Sequence, residues 1–140
     1  MEQRLSVLTL GVKDLARSKL FYGTGLGWKP VFESKEIVFF QAGGMVFGLF
    51  LQQELAKDFN ADPGSFGRAA MAMGYNVRSK AEVDPLLARA EAAGATILKT
   101  ARDAVWGGYS GYFADPDSFA WEVAWNPNWT IEPDGSLTFH

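Results

Sequence analysis

The sequence predicts an α+β protein in which two copies of one βαβββ unit form a single domain over residues 1–140. Three observations carry this expectation. Strand-like and helix-like segments follow the same order in both halves of the chain. Local wording recurs at an offset of about 65 residues: Val12 before the first helix answers Val77, and Leu26-Gly27-Trp28 after it answers Ala93-Gly94-Ala95. Neither half alone covers both faces of its own sheet, so pairing the two is the physically sensible outcome. The expected division is a first module over about 1–60, a second over about 68–126 and a C-terminal extension over 127–140.

Each element has a local reason. Residues 5–12 alternate loosely, as a strand does, and Asp14 follows as a helix cap. Residues 15–26 carry Leu15, Phe21, Tyr22 and Leu26 on one apolar stripe, and Gly23, Gly25 and Gly27 supply the stop. Strands are expected over 28–33, 37–41 and 45–51, the last two joined at Gly43-Gly44. Residues 52–60 read as a short helical or irregular excursion, ended by Asp62-Pro63-Gly64. The second half opens with a strand over 69–77. Its helix starts either at Ser79, which has capping-box spacing to Glu82, or at Asp84-Pro85, with Pro in the first turn. That helix runs through Leu86, Leu87 and Ala90 to Gly94. Strands over 96–99, 109–114 and 119–125 follow, the last two joined by Asp115-Pro116-Asp117-Ser118. Residues 131–139, turning at Pro133-Asp134-Gly135, read as a small added hairpin.

Bulk properties remove several function classes. Thirteen Lys and Arg face sixteen Asp and Glu, with no basic cluster to meet a nucleic-acid backbone. No apolar run approaches the roughly 20 residues of a membrane-spanning helix, and the first twelve residues lack the core of a signal peptide. Cysteine is absent, which excludes disulfides, thiolate metal sites and a cysteine nucleophile and fits a cytoplasmic setting. The single histidine is the last residue, His140. Aromatics make up 14% of the chain, and four of the five tryptophans fall between Trp106 and Trp129, so some rings are candidates to stack on a planar ligand.

Side chains alternate across a strand, which sorts each strand into two faces. Large faces expected to pack under helices are Leu8, Leu10 and Val12; Phe47, Leu49 and Leu51; Met71, Met73, Tyr75 and Val77; and Phe119, Trp121, Val123 and Trp125. Opposite them stand Val7, Thr9 and Gly11; Val46, Gly48 and Phe50; Ala72, Gly74 and Asn76; and Ala120, Glu122 and Ala124. These second faces are too small to fill a core and too apolar to prefer bulk water, which suits the lining of a small-molecule pocket. The alternative is a face covered by the partner half or another subunit, with Gly and Ala present for close approach. Glu122 has two readings. It is a general base if burial leaves it unpaired, or a structural carboxylate bonded to a neighbouring Tyr, Ser or amide.

Two motifs resemble the vicinal oxygen chelate superfamily of glyoxalases, bleomycin-resistance proteins and extradiol dioxygenases. The first is Leu8-Thr9-Leu10-Gly11-Val12-Lys13-Asp14-Leu15-Ala16-Arg17-Ser18 with Phe21-Tyr22 and Leu26-Gly27-Trp28. The second is Phe113-Ala114-Asp115-Pro116-Asp117 leading to Trp121-Glu122-Val123. The resemblance covers nearly the whole chain and implies two βαβββ modules forming a cupped mixed sheet around a site, commonly within a homodimer. It also implies a divalent metal held by four strand residues, mostly His and Glu. Carried over by motif, those positions fall at Val7, Gly48, Ala72 and Glu122, of which only Glu122 has a donor atom. One carboxylate does not build that coordination sphere, so no metal or other cofactor is expected.

The leading expectation is therefore a metal-independent binder of a small planar or aromatic compound, similar to the family's drug-sequestering proteins. Val7, Thr9, Gly48, Phe50, Ala72, Gly74 and Asn76 would line the site, with Trp106 and Tyr109 as further walls and Glu122 as a polar contact. A second expectation is a glyoxalase-like lyase or isomerase with Glu122 as general base. That enzyme would need a donor for the developing enolate, from Arg68, Arg78 or Arg102. A third is a scaffold that meets another protein through its sheet face or its tail tryptophans.

Overall fold

The computed structural model describes residues 7–58, 60, 62, 64 and 72–139. The expected starts of the first strand (residues 5 and 6) and of the fifth (69–71), together with Arg68 and His140, lie outside them. The chain divides into two compact units, Met1–Ala69 and Ala70–His140.

The first unit runs β1 (Val7–Val12), α1 (Leu15–Leu20), β2 (Pro30–Glu33), β3 (Ile37–Ala42), β4 (Met45–Leu51) and α2 (Gln52–Asp58). Its sheet has the order β1-β4-β3-β2, with β1 parallel to β4 and the other pairs antiparallel. Asp14 caps α1 as its residue type predicts, accepting from the Arg17 N–H at 3.0 Å. The helix is shorter than its apolar stripe suggests: after Leu20 the backbone widens into a π turn over Phe21–Gly25. The Leu26 N–H reaches back to the Phe21 carbonyl at 2.8 Å, and Gly27 closes the turn with φ +83°. Widening the turn leaves Tyr22 fully buried, 5.1 Å from the Phe47 ring and 5.4 Å from Trp28. The core under α1 is the large face read from the strands: Leu10, Val12, Phe47 and Leu49, joined by Val38 and Phe40 of β3.

The second unit repeats the order: β5 (Ala72–Asn76), a 3₁₀ turn (Lys80–Glu82), α3 (Val83–Ala92), β6 (Thr96–Asp103), β7 (Tyr109–Ala114) and β8 (Ala120–Trp125). Its sheet has the order β5-β8-β7-β6, with β5 parallel to β8. Both expected helix starts contribute. Ser79 precedes the 3₁₀ turn and its hydroxyl bonds the Glu82 carboxylate at 2.8 Å, while Pro85 sits in the first turn of α3. Leu87 of α3 packs onto Gly111 of β7, where a Cβ would stand 2.6 Å from Leu87 Cδ1. The face carrying Gly111, Phe113, Trp121 and Val123 is thus the helix side. Tyr75 shares that face by register yet is 46% exposed, whereas Met73 on the same edge strand is buried. Strand β6 continues past the expected 96–99 to Asp103 and is irregular, its register against β7 shifting between Ile97 and Lys99 and again between Lys99 and Arg102. After β8, β9 (Trp129–Ile131) and β10 (Leu137–Phe139) pair as an antiparallel hairpin turning at Gly135, with φ +87°.

Candidate functional site

In the first unit Val7, Thr9, Gly48 and Phe50 share the face opposite α1, as their alternation requires. The face is not empty. The Phe39 ring of β3 lies over Gly48, 3.0 Å from where a Cβ would stand, and the Thr9 hydroxyl is 3.2 Å from the same point. Leu55 of α2 covers Gly11 at 3.2 Å. Glycine here permits close approach of neighbours, which is the alternative reading of small strand residues. A cavity of about 430 Å³ lies at the end of β1 and the start of α2, lined among others by Val12, Lys13, Leu51 and Gln52. None of the expected ligand contacts borders it.

The second unit is different. Ala72, Gly74 and Asn76 of β5 stand beside Ala120, Glu122 and Ala124 of β8 on the face opposite α3. A Cβ on Gly74 would meet no atom within 4 Å, so the space beside Glu122 is open. On its other side Glu122 is paired in register with Tyr112 of β7. Burial, then the hydrogen bond and charge of Glu122, hold the Tyr112 phenol above its ordinary range. The phenol therefore keeps its proton at neutral pH and is the potential donor beside the carboxylate. Lys99 of β6 is opposite Tyr112, its ammonium 5.5 Å from the ring centroid.

Register thus sets a tyrosine, Tyr112, next to Glu122. Tyr112, Lys99 and Phe39 were not read as site residues. The signal that could have found them is the same alternation, applied to β3 and β7: Phe39 falls on the face of Gly48, and Tyr112 on the face of Glu122.

Two expected walls sit elsewhere. Tyr109 lies on the helix face of β7, three residues before Tyr112, and its hydroxyl donates to Asp84 of α3 at 3.0 Å. An odd spacing along a strand sends the two rings to opposite sides. Trp106 belongs to the β6–β7 turn and packs on the backbone of Gly108, where a Cβ would fall 1.7 Å from its ring. Asp115 is a turn residue, accepting from the Asp117 and Phe119 N–H groups at 2.9 and 2.8 Å.

The donor set does not fit the divalent metal implied by the resemblance. Val7, Gly48 and Ala72 offer no ligand atom, the Phe39 ring occupies the space a side chain at position 48 would need, and Glu122 is engaged by Tyr112. Among the described residues no group of three or more His, Cys, Asp or Glu is placed to hold a metal ion.

Comparison with known proteins agrees with the fold. Residues 4–123 match the model of the Glyoxalase/Bleomycin resistance protein/Dioxygenase superfamily. A solved glyoxalase-related enzyme from Fulvimarina pelagi is 45% identical, with a TM-score of 0.93 over 99% of either chain. A lactoylglutathione lyase from Agrobacterium tumefaciens is 25% identical, with a TM-score of 0.70 over 89% of this chain and 95% of its own. A family enzyme from Burkholderia phytofirmans PsJN, 20% identical, shares the fold at a TM-score of 0.78 over 86% of this chain and 96% of its own. No curated protein matches the chain. With most of its length matched by the family model and a relative 45% identical from end to end, the chain belongs to the Glyoxalase/Bleomycin resistance protein/Dioxygenase superfamily.

Proposed function

We propose that the protein binds a small, flat organic molecule on the face of the β5–β8 sheet around Glu122, without the divalent metal that the sequence resemblance implies. The observation that carries this reading is the Tyr112–Glu122 pair, adjacent in register, beside the unfilled space over Gly74. A face of small residues with a few placed polar groups is what a small-molecule site needs. Glu122 without three companion ligands serves as a hydrogen-bond acceptor and not as part of a coordination sphere. Titration of the purified chain with a panel of aromatic metabolites and antibiotics tests it. At least one compound should bind more tightly than millimolar and lose affinity in Gly74→Val; failure of the whole panel would remove the reading.

One observation favours a second reading, catalysis. The relative from Fulvimarina pelagi, 45% identical, is described as a glyoxalase-related enzyme. Glu122 would take a proton from a carbon next to a carbonyl, the C–H electron pair passing into an enolate while the carboxyl group holds the proton. Lys99, in the same cross-strand row, is the cation nearest in register to stabilise that enolate. Of the arginines considered for that role, Arg78 is committed to the Glu132 carbonyl at 2.9 Å. Turnover of carbonyl substrates that survives Glu122→Gln unchanged would dismiss this reading.

A further inference from the structure

Register places four side-chain positions of the second sheet in one row across all its strands: Lys99 of β6, Tyr112 of β7, Glu122 of β8 and Gly74 of β5. Neighbouring strands lie about 4.8 Å apart, so the row spans roughly 14 Å from a cation to an empty position. Its polar atoms are ordered. The phenol of Tyr112, with one hydrogen to give, stands next to Glu122 in register, and Lys99 sits over the phenol ring. The acceptors next to the space over Gly74 are the carboxylate oxygens of Glu122, its neighbour in register, which carry no hydrogen. The two formal charges of the row, on Lys99 and Glu122, have opposite sign, so the row favours neither anions nor cations strongly. Asn76 stands one row further along β5 and serves a donor or an acceptor equally.

We propose that the ligand of this face is selected by a hydrogen-bond donor, a hydroxyl or amine group placed over Gly74 and bonded to Glu122, with Tyr112 as the residue that positions the carboxylate. This inference rests on the binding reading above and gives it a chemical class. A ligand without a donor strands the carboxylate against an apolar group. Hydrogen bonds to charged groups contribute about 1.5–3 kcal/mol, which is a discrimination of about tenfold or more.

The test uses the full chain and three probes of one shape: benzyl alcohol, benzylamine and benzyl methyl ether, titrated by ligand-observed NMR. The alcohol and the amine should bind about tenfold or more tightly than the ether. Glu122→Gln should narrow that ratio. Tyr112→Phe should narrow it as well while the protein stays folded, a change that loss of packing alone would not produce. Gly74→Val should weaken all three, at a position where an added Cβ meets no protein atom within 4 Å. If the ether matches the alcohol while Gly74→Val still weakens every probe, the donor rule is wrong and the binding face stands. If no probe binds at millimolar concentration, or Gly74→Val leaves all of them unchanged, both the rule and the placement of the site on this face are overturned.

Discussion

A methyl group on Gly111 would stand 2.6 Å from Leu87 Cδ1, 2.8 Å from the Lys99 carbonyl oxygen and 2.9 Å from the Ala101 nitrogen; one on Gly74 would meet nothing within 4 Å. Two of the three contacts at Gly111 are backbone, which does not swing aside. Gly111→Ala should therefore cost about 1–3 kcal/mol in a urea unfolding experiment. Gly74→Ala should be neutral or gain up to about 1 kcal/mol, since alanine loses less backbone entropy in a strand. Equal costs at the two sites would contradict the distinction between a glycine for contact and a glycine for room. Tyr112 offers a pH-dependent check. Its phenol is held above the ordinary range, so its contribution to stability is complete below about pH 10 and is lost as pH rises through the higher folded value. Tyr112→Phe should flatten the alkaline limb of stability against pH. Glu122 itself was legible in the sequence, since a carboxylate between two alanines on a strand asks for an explanation. Its partner was not, because which residue of β7 faces it depends on register across the sheet.

At the scale of elements, side-chain bonds help to hold the β9–β10 hairpin. Arg78, just after β5, donates to the Glu132 carbonyl at 2.9 Å, and the Thr138 hydroxyl meets the Glu132 carboxylate at 3.0 Å. Two-stranded hairpins are marginal alone. Arg78→Ala should speed amide hydrogen exchange across 129–139 and leave β7 and β8 protected. In the turn, the Ser136 N–H and hydroxyl bond Asp134 at 2.9 and 2.7 Å and hold its carboxyl below the ordinary range. The bonds are complete above that range and are lost as pH falls through the lowered value. Protection of the Ser136 amide should fade only in acid. Turn chemistry made this hairpin readable in advance, as Asp14 made the start of α1. The end of α1 was less readable: the glycines after Tyr22 announce a stop, but the stop is a π turn that aims the Tyr22 ring at Phe47, and that aim belongs to the core.

For the molecule as a whole, family membership and donor chemistry point in different directions. One relative, from Agrobacterium tumefaciens, is a lactoylglutathione lyase, yet three of the four expected ligand positions here have no ligand atom. Elemental analysis of the purified chain should find no stoichiometric zinc, nickel or iron, and a chelator should leave its melting temperature unchanged. A stoichiometric metal, or a chelator-induced drop of several degrees, would return Glu122 to a coordination role. The two-module order was legible because periodicity and turn residues repeat it. The site was legible only in outline, since the row through Glu122 is completed by a strand, β6, whose irregularities no local pattern marks.

Those irregularities reach beyond the site. Strand β6 is an outer strand of its sheet, eight residues long, with Leu98 56% exposed. A straight strand of that length would be an open template for foreign chains. Its two breaks in register, with Lys99 and Arg102 beside them, deny a newcomer an unbroken run of backbone partners. Strand addition along this border should stall within a few residues, so the same kinks that bring Lys99 opposite Tyr112 also blunt an open edge.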